Sequence, residues 1–325
     1  MSGSTKGPAP ERGPLVLGSG GRVGRMFRRL AAQGLWPGPE PLWHTRDGRE
    51  GTLGWDLHDR DLPAWRESLP PVTGIIVLAG QTREDPSVAH DADERKRITW
   101  LGSANEAPVL AAQDLARDRG IGPIVMCSSA AIYGTAPQPC REDGPLQANT
   151  IYGRAKIWME EETWVERLTQ GRLPICALRI GNVAGADALF GAMAEGPVTL
   201  DRLPDGTAPR RAYIGPLTLA RALVALLAAP DLPGVATPMP GPEPTGEVER
   251  FPAVNLAQPG LLPMSDLLDA AGVPFAWRPA PPTALPALEM DLSRLQALAP
   301  LPPATPEGLV AEARLAGWRP FGDPP

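Results

Sequence analysis

Tyr152 and Lys156 stand four residues apart, the spacing that sets two side chains one above the other on a single helix face. A fixed ammonium beside a phenol favours the phenolate, lowering a tyrosine pKa from about 10 towards a range useful for general acid–base work. The chain has three tyrosines and three lysines, and its other basic residues are arginines. Arginine could not replace Lys156 here, because its guanidinium keeps its proton at any working pH. Two residues at one spacing still occur by accident, so the pair needs company from the rest of the chain.

Company comes first from glycine. The run Gly18-Ser19-Gly20-Gly21-Arg22-Val23-Gly24 has the form G-x-x-G-x-x-G, through Gly18, Gly21 and Gly24. It lies between an apolar run, Leu15–Leu17, and a helical pattern from Arg25 to about Gln33. Glycines at that junction allow a tight turn and let the backbone approach a pyrophosphate seated on the helix N-terminus. The plainer alternative is a glycine-rich turn with no ligand. A second strand over 41–45 ends at Arg46, about 20 residues past the glycines, where an adenosine ribose would lie. An acid there would bond the 2′-hydroxyl of NAD, whereas Arg46 suits the 2′-phosphate of NADP, so NADP is favoured over NAD. Asp56, followed by Leu57, is placed to accept a hydrogen bond from an adenine amino group.

The elements that must position these groups follow in series. Residues 74–78 form an unbroken apolar run, as in a parallel strand buried on both faces, and the small residues Ala79-Gly80 after it leave room for a cofactor. A short helix is expected over 61–68. A long helix is expected over 92–119, carrying Asn105 and kinked or divided at Pro108. A strand over 123–127 runs into Ser128-Ser129, delivering Ser129 to the edge where ligands bind in open α/β sheets. The helix bearing Tyr152 and Lys156 runs to about 169, with Glu160-Glu161-Glu162 as a solvated face. Another strand, 173–178, leads into Arg179-Ile180-Gly181-Asn182. A helix over 217–228, a strand over 254–257 and helices over 264–271, 291–298 and 307–315 complete the expectation. Such serial βα units predict an α/β fold with a doubly wound parallel sheet.

At 325 residues the chain has room for one large domain and a smaller lobe. Its formal charge of −6 argues against nucleic acid or an anionic membrane surface as a partner. Residues 1–14 are rich in Gly, Ser and Pro without an apolar core and read as a loose tail, not a signal peptide. No apolar run nears the roughly 20 residues needed to span a bilayer. Three scattered cysteines and three histidines offer neither a disulfide framework nor a metal-ligand spacing. The expectation is a cytoplasmic protein without a metal, with an extended Pro/Gly loop at 237–245.

Taken in order, the motifs resemble the extended short-chain dehydrogenase/reductase superfamily in its sugar-nucleotide epimerase/dehydratase branch. The resemblance spans 15 to about 228. It rests on Gly18/Gly21/Gly24, Asp56-Leu57, Leu78-Ala79-Gly80, Asn105, the run Ser128–Gly134, Tyr152-x-x-x-Lys156 and Leu178-Arg179-x-x-Asn182. It implies an NAD(P)-binding domain over 15–185, to which 212–229 and about 253–257 return. A substrate lobe would come from 186–211 and about 235–325. It implies that Tyr152 is the general acid/base, that Lys156 holds the nicotinamide ribose and depresses the tyrosine pKa, and that Ser129 bonds the substrate oxygen. Gly18, Gly21, Arg22, Val23, Gly24, Arg46, Asp56, Leu57, Leu78, Ala79, Gly80, Tyr152, Lys156 and Ile180 would contact the cofactor, and Asn182 and Arg211 the substrate. Asn105 would order the active-site helix. The implied activity is that of an NAD(P)-dependent oxidoreductase or epimerase at a carbonyl/hydroxyl carbon, with a nucleotide-linked sugar as one substrate class. The two long helices would form a homodimer contact.

Two departures qualify this. The 4,6-dehydratases of the family carry Asp-Glu directly after the active-site Ser/Thr, where this chain has Ala130-Ala131, which discounts dehydratase activity. After Arg211-Ala212-Tyr213-Ile214 the family commonly continues His-Val-x-Asp, whereas this chain has Gly215-Pro216-Leu217-Thr218, which weakens the case for a diphosphonucleotide substrate. The rival from another class is a non-catalytic NADP-binding sensor or scaffold.

Overall fold

Seven short apolar segments pair in parallel to form the central sheet. The computed structural model describes residues 12–49, 51–59, 61–83, 93–170, 173–234 and 251–323. The expected tail up to residue 11 and the expected loop at 237–245 lie outside the described residues. In chain order the first strands are β1 (Leu15–Leu17), β2 (Leu42–Thr45), β3 (Leu53–Gly54), β4 (Ile75–Val77), β5 (Ile124–Ser129) and β6 (Ile175–Ile180). Three strands of a smaller lobe follow: β7 (Asn182–Val183), β8 (Val198–Arg202) and β9 (Arg210–Ile214). Then β10 (Ala253–Leu256) returns to the main sheet, whose order is β10-β6-β5-β4-β1-β2-β3. The strand order reverses between β1 and β4, so a crevice opens there at the carboxyl ends.

Side chains alternate across this sheet as a two-residue period requires. Val16, Ile76, Val125 and Cys176 enter one core, with Phe27 and Leu30 of α1 (Arg22–Ala32). Leu15, Leu17, Ile75, Val77 and Met126 enter the other. There they meet Val109 and Leu115 of α2 (Glu94–Arg119) and Met159 of α3 (Ile151–Thr169). Each fully buried aliphatic side chain contributes about 1.5–3 kcal/mol relative to exposure. Asp93 caps α2 by accepting from the Lys96 amide at 2.9 Å, and Thr150 caps α3 by accepting from the Gly153 amide at 3.0 Å. Pro108 does not divide α2; it is buried within the helix, where packing outweighs its missing hydrogen bond.

Two further expectations are corrected. The helix placed over 61–68 is one 3₁₀ stretch, Ala64–Ser68. Pro63 steers Leu62 away from helical angles, so no helix can begin at Asp61. Glu160 is not on a solvated face. It is 2 % exposed and forms a bidentate ion pair with Arg179, with Nη2 to Oε2 at 2.8 Å and Nε to Oε1 at 3.2 Å. The helix period turns only Glu160 of the three glutamates inward, on the face that carries Lys156.

The smaller lobe adds β11 (Leu261–Pro263), β12 (Phe275–Pro279) and β13 (Ala287–Leu288). β9 pairs with β7, β11 and β13, while β8 pairs with β12. Residues 210–214 thus belong to the small sheet, and the return to the main domain begins with the next helix. Of the remaining helices, α4 (Ala188–Glu195) packs in the lobe, and α5 (Pro216–Leu227) lies against the main sheet. Next come α6 (Met264–Ala271), α7 (Ser293–Leu298) and α8 (Pro306–Leu315). Phe190, Leu268, Leu309 and Trp318 form the lobe's core. Among the described residues no helix is long and apolar enough to cross a membrane, and no cluster of His, Cys, Asp or Glu could hold a metal ion.

The start of α5 has no side-chain cap of its own, and Glu312 of α8 supplies one from outside. Its carboxylate accepts from the Thr218 amide at 2.8 Å and the Thr218 hydroxyl at 2.6 Å. Glu312→Ala should therefore lower unfolding free energy by about 1–3 kcal/mol, since it strands a half-buried donor at a helix N-terminus. Denaturant midpoints of the two proteins check this.

Candidate active site

Two cavities, of about 620 Å³ and about 450 Å³, adjoin along the crevice and share Gly80 and Gln81 in their walls. The first is lined by Gly18, Gly20 and Gly21, by Arg46, Asp56 and Leu57, and by Ala79. Gly18 has φ +90°, and a Cβ there would lie 2.5 Å from the Ala79 nitrogen, so only glycine brings these two loops together. Gly24 faces inward, where a Cβ would lie 2.4 Å from Ser19 Cα, so its role is to let α1 pack closely on the loop. Gly21 is the N-cap of α1 and makes no side-chain cap bond. The first-turn amides therefore remain for an anion, which fits a pyrophosphate.

The other residues singled out for cofactor contact divide. Val23, Leu78 and Ile180 line the second cavity. The Arg22 side chain leaves the site, donating to the Ala186 carbonyl at 3.2 Å, so only its backbone belongs to the cradle. Arg46 and Asp56 face each other at 3.6 Å as an exposed ion pair, and Asp56 also accepts from the His58 amide at 3.1 Å. Arg25, Arg28 and Arg49 line the same cavity. Sequence reasoning missed these three, although Arg25 and Arg28 follow the glycine run and Arg49 follows Arg46.

His44 was missed as well. It is 2 % exposed and its Nδ1 accepts from the Gly18 amide at 3.1 Å, while Nε2 lies 2.8 Å from the Trp55 carbonyl. A carbonyl only accepts, so Nε2 carries the proton and Nδ1 is bare: a neutral ring in one tautomer. The His44 carbonyl also accepts from the Ser19 amide at 2.9 Å and the Ser19 hydroxyl at 2.8 Å. One residue thus holds both ends of the Gly18-Ser19 bend. Burial lowers the His44 pKa below the ordinary 6.5, against the Trp55 bond and the Asp56 charge.

The second cavity collects Ser129, Tyr152, Lys156, Asn182 and Arg211, with Asn105, Asp187 and Thr150 in its wall. Ser129 arrives on the last residue of β5, and Tyr152 and Lys156 on the sheet-facing side of α3. Lys156 is 4 % exposed and donates to the Cys127 carbonyl at 3.0 Å. Burial lowers its pKa to about 8, with Cys127 and Glu160 opposing. Its ammonium lies 6.0 Å from the centre of the Tyr152 ring. The expected depression of the tyrosine pKa is not found. Burial raises it to about 12, with only the Ser129 hydrogen bond favouring the phenolate. Desolvation of the phenolate is the largest effect, and the ammonium, 6.0 Å from the ring centre, does not offset it.

Asn105 is fully buried and donates to the Gln81 carbonyl at 3.0 Å and the Leu101 carbonyl at 2.7 Å, while its oxygen accepts from the Gln81 amide at 3.2 Å. It orders the loop after β4, where the expectation had it ordering α3. A Cβ at Gly80 would lie 2.5 Å from the Asn105 oxygen, which explains the glycine. Trp158 packs against Gly102 of α2, and Trp164 stacks edge-on with Phe251. Chemically, the cavity offers a phenol hydrogen-bonded to the Ser129 hydroxyl, a cation beside them, and an open side towards the glycine cradle.

A family model described as the NAD dependent epimerase/dehydratase family matches residues 15–233. No curated protein matches in sequence. Among solved structures, UDP-glucose 4-epimerase from Brucella ovis in complex with NAD is similar at TM-score 0.70 and 21 % identity, covering 95 % of this chain and 99 % of that one. RMD from Pseudomonas aeruginosa complexed with NADPH gives 0.65 and 17 %, over 95 % and 100 %. DesIV, a dTDP-glucose 4,6-dehydratase from Streptomyces venezuelae with NAD and TYD bound, gives 0.65 and 19 %, over 93 % and 96 %. At such identities the likeness is one of fold.

Because the His44 pKa is lowered in the folded protein, the unfolded chain binds its proton first as pH falls below 6.5. Its contribution is thus whole above that value and declines below it. In His44→Asn, Oδ1 keeps an acceptor near Gly18 that does not titrate there. Melting temperatures recorded from pH 7 down to pH 5 should therefore fall less steeply in His44→Asn than in the native protein.

Proposed function

Because this chain belongs to the NAD dependent epimerase/dehydratase family, we propose that it is an NADP-dependent oxidoreductase acting at a carbonyl/hydroxyl carbon. The observation that carries this is the convergence of Ser129, Tyr152 and Lys156 in the cavity that opens, past Gly80, onto the glycine cradle. A nicotinamide cofactor bound across the two cavities supplies or accepts the hydride. Lys156, at the boundary of the two, is the group that would hold the nicotinamide ribose. The amides that begin α1 would hold the pyrophosphate.

The chain's own chemistry is proton transfer and orientation. Tyr152, with its pKa raised to about 12, is a phenol at neutral pH and begins as a proton donor. This suits reduction: the carbonyl oxygen gains negative charge as its carbon is reduced, and the phenol proton passes to that oxygen. Ser129 donates to the same oxygen and keeps it in line with the phenol. The phenolate left behind is favoured by the Ser129 bond until solvent returns a proton. Arg25, Arg28, Arg46 and Arg49 around the first cavity support NADP, because a 2′-phosphate attracts guanidinium donors that a bare ribose does not need. Ala130 and Ala131, after Ser129, bring no carboxylate to drive water elimination, which argues against dehydratase chemistry.

The second reading is an epimerase with resident NAD, supported by the Ser128–Gly134 run and by the fold shared with a UDP-glucose 4-epimerase. Tyr152, with Ser129 and Lys156, would then take the proton from the substrate hydroxyl and return it to the same oxygen, while the cofactor would take hydride from one face of the carbon and return it to the other. A non-catalytic sensor is disfavoured, since it has no need of an acid/base pair.

Tyr152→Phe removes the proton donor and leaves in place Lys156 and the α1 amides that would hold the dinucleotide. With any member of a carbonyl panel that supports NADPH oxidation, its kcat should fall by about 10²–10⁴ while the NADPH dissociation constant stays within about twofold. An unchanged kcat would contradict the assignment.

A further inference from the structure

Asn182 and Asp187 meet at the substrate end of the second cavity, on either side of the turn at Gly185. The Asn182 side-chain amide donates to Asp187 Oδ2 at 2.7 Å, and Asp187 Oδ1 accepts from the Phe190 amide at 2.9 Å as the N-cap of α4. Turning the Asn182 amide over would set its oxygen against a carboxylate oxygen, so its partner fixes its orientation. What Asn182 can offer a ligand is therefore chiefly its carbonyl oxygen, an acceptor. Asp187 adds two more acceptor oxygens in the same wall.

Cationic donors there are few. Arg211 and Lys156 are the cationic side chains among the described residues lining this cavity. Lys156 is committed to the Cys127 carbonyl at 3.0 Å, and Arg211 spends one N–H on the Arg210 carbonyl at 2.8 Å. A diphosphate has only acceptor oxygens and about two negative charges, and its binding sites usually surround it with cations and N–H donors. Here the cations it would meet are one partly engaged guanidinium and the Lys156 ammonium, with a carboxyl and an amide oxygen beside them and only neutral donors, such as Ser129, Asn149 and Thr150, elsewhere among the described lining residues. Burial raises the Asp187 pKa, the mark of a poorly solvated site where a second anion is disfavoured further. The cavity of about 450 Å³ must also admit the nicotinamide end of the cofactor.

Resting on the reading of this cavity as the substrate site, we infer that the substrate is a small carbonyl or hydroxyl compound bearing at most one anionic group, not a nucleoside diphosphate sugar. Arg211 holds the anionic group when there is one. Asn182 and Asp187 receive hydroxyl donors, so they select a polyhydroxylated or hydroxyl-bearing skeleton. Asp187 is the element that excludes the diphosphate.

The test uses the full chain saturated with NADP and UDP as the probe, titrated by calorimetry. The native protein should show no UDP binding at concentrations up to about 1 mM. Asp187→Asn keeps an oxygen for capping and removes the negative charge, and should strengthen UDP binding by about tenfold or more. UDP binding to the native protein at about 0.1 mM or below would overturn the inference, and that measurement needs no variant. An Asp187→Asn protein that melts normally and binds NADP normally, yet gains no affinity for UDP, would overturn the role given to Asp187. Failure of NADP to bind would be a different result, sinking the oxidoreductase reading and this one together.

Discussion

The buried ion pair between Glu160 and Arg179 is the joint on which the candidate active site is assembled. Tyr152, Lys156 and Glu160 are spaced by four along α3, so one helix face carries phenol, ammonium and anchoring carboxylate towards the sheet. Arg179 receives that anchor on β6 and also donates to the Tyr133 hydroxyl at 3.1 Å and the Glu142 carbonyl at 2.9 Å. Tyr133 in turn donates to Asn255 of β10 at 2.6 Å. The network thus connects three adjacent strand ends and α3. Leaving either charge of such a pair alone in the interior costs about 3–5 kcal/mol, so the helix has one deep position and little freedom to slide.

The same device recurs at smaller scale around the crevice. His44 and Asn105 are buried polar side chains whose partners are main-chain groups of loops, Gly18 and Trp55 in one case and Gln81 in the other. A loop amide buried without a partner is costly, so each side chain selects the loop conformation that satisfies it. The glycines at 18 and 80 then make sense as the places where two loops, or a loop and a helix, come closer than any Cβ allows. Glu312 does for the start of α5 what these residues do for the cleft.

Much of this was legible in the sequence, and the failures share a cause. Repeating signals carried well: the apolar strands, the helix at Met264–Ala271 and the four-residue spacing of Tyr152 and Lys156 all depend on neighbours a few positions away. Glu160 was misread because three consecutive glutamates suggest a solvated face, although its distance of four from Lys156 pointed inward. His44 and Asp187 were invisible as functional residues, since His44 acts on Gly18 from 26 residues away and Asp187 looks like a helix cap. The effect of Lys156 on Tyr152 failed for another reason. Spacing reports proximity, whereas the pKa depends on how much solvent the phenol has lost.

The most direct test of the account is which nucleotide the purified protein holds. Native mass spectrometry, with NAD and NADP titrations beside it, would read this for the native chain and for Arg46→Asp. The account predicts a protein that binds one NADP per chain more tightly than NAD, with the preference lost in Arg46→Asp. Retained NAD that survives gel filtration would contradict the role of the arginines and favour an epimerase. Binding of neither nucleotide would contradict the glycine cradle itself.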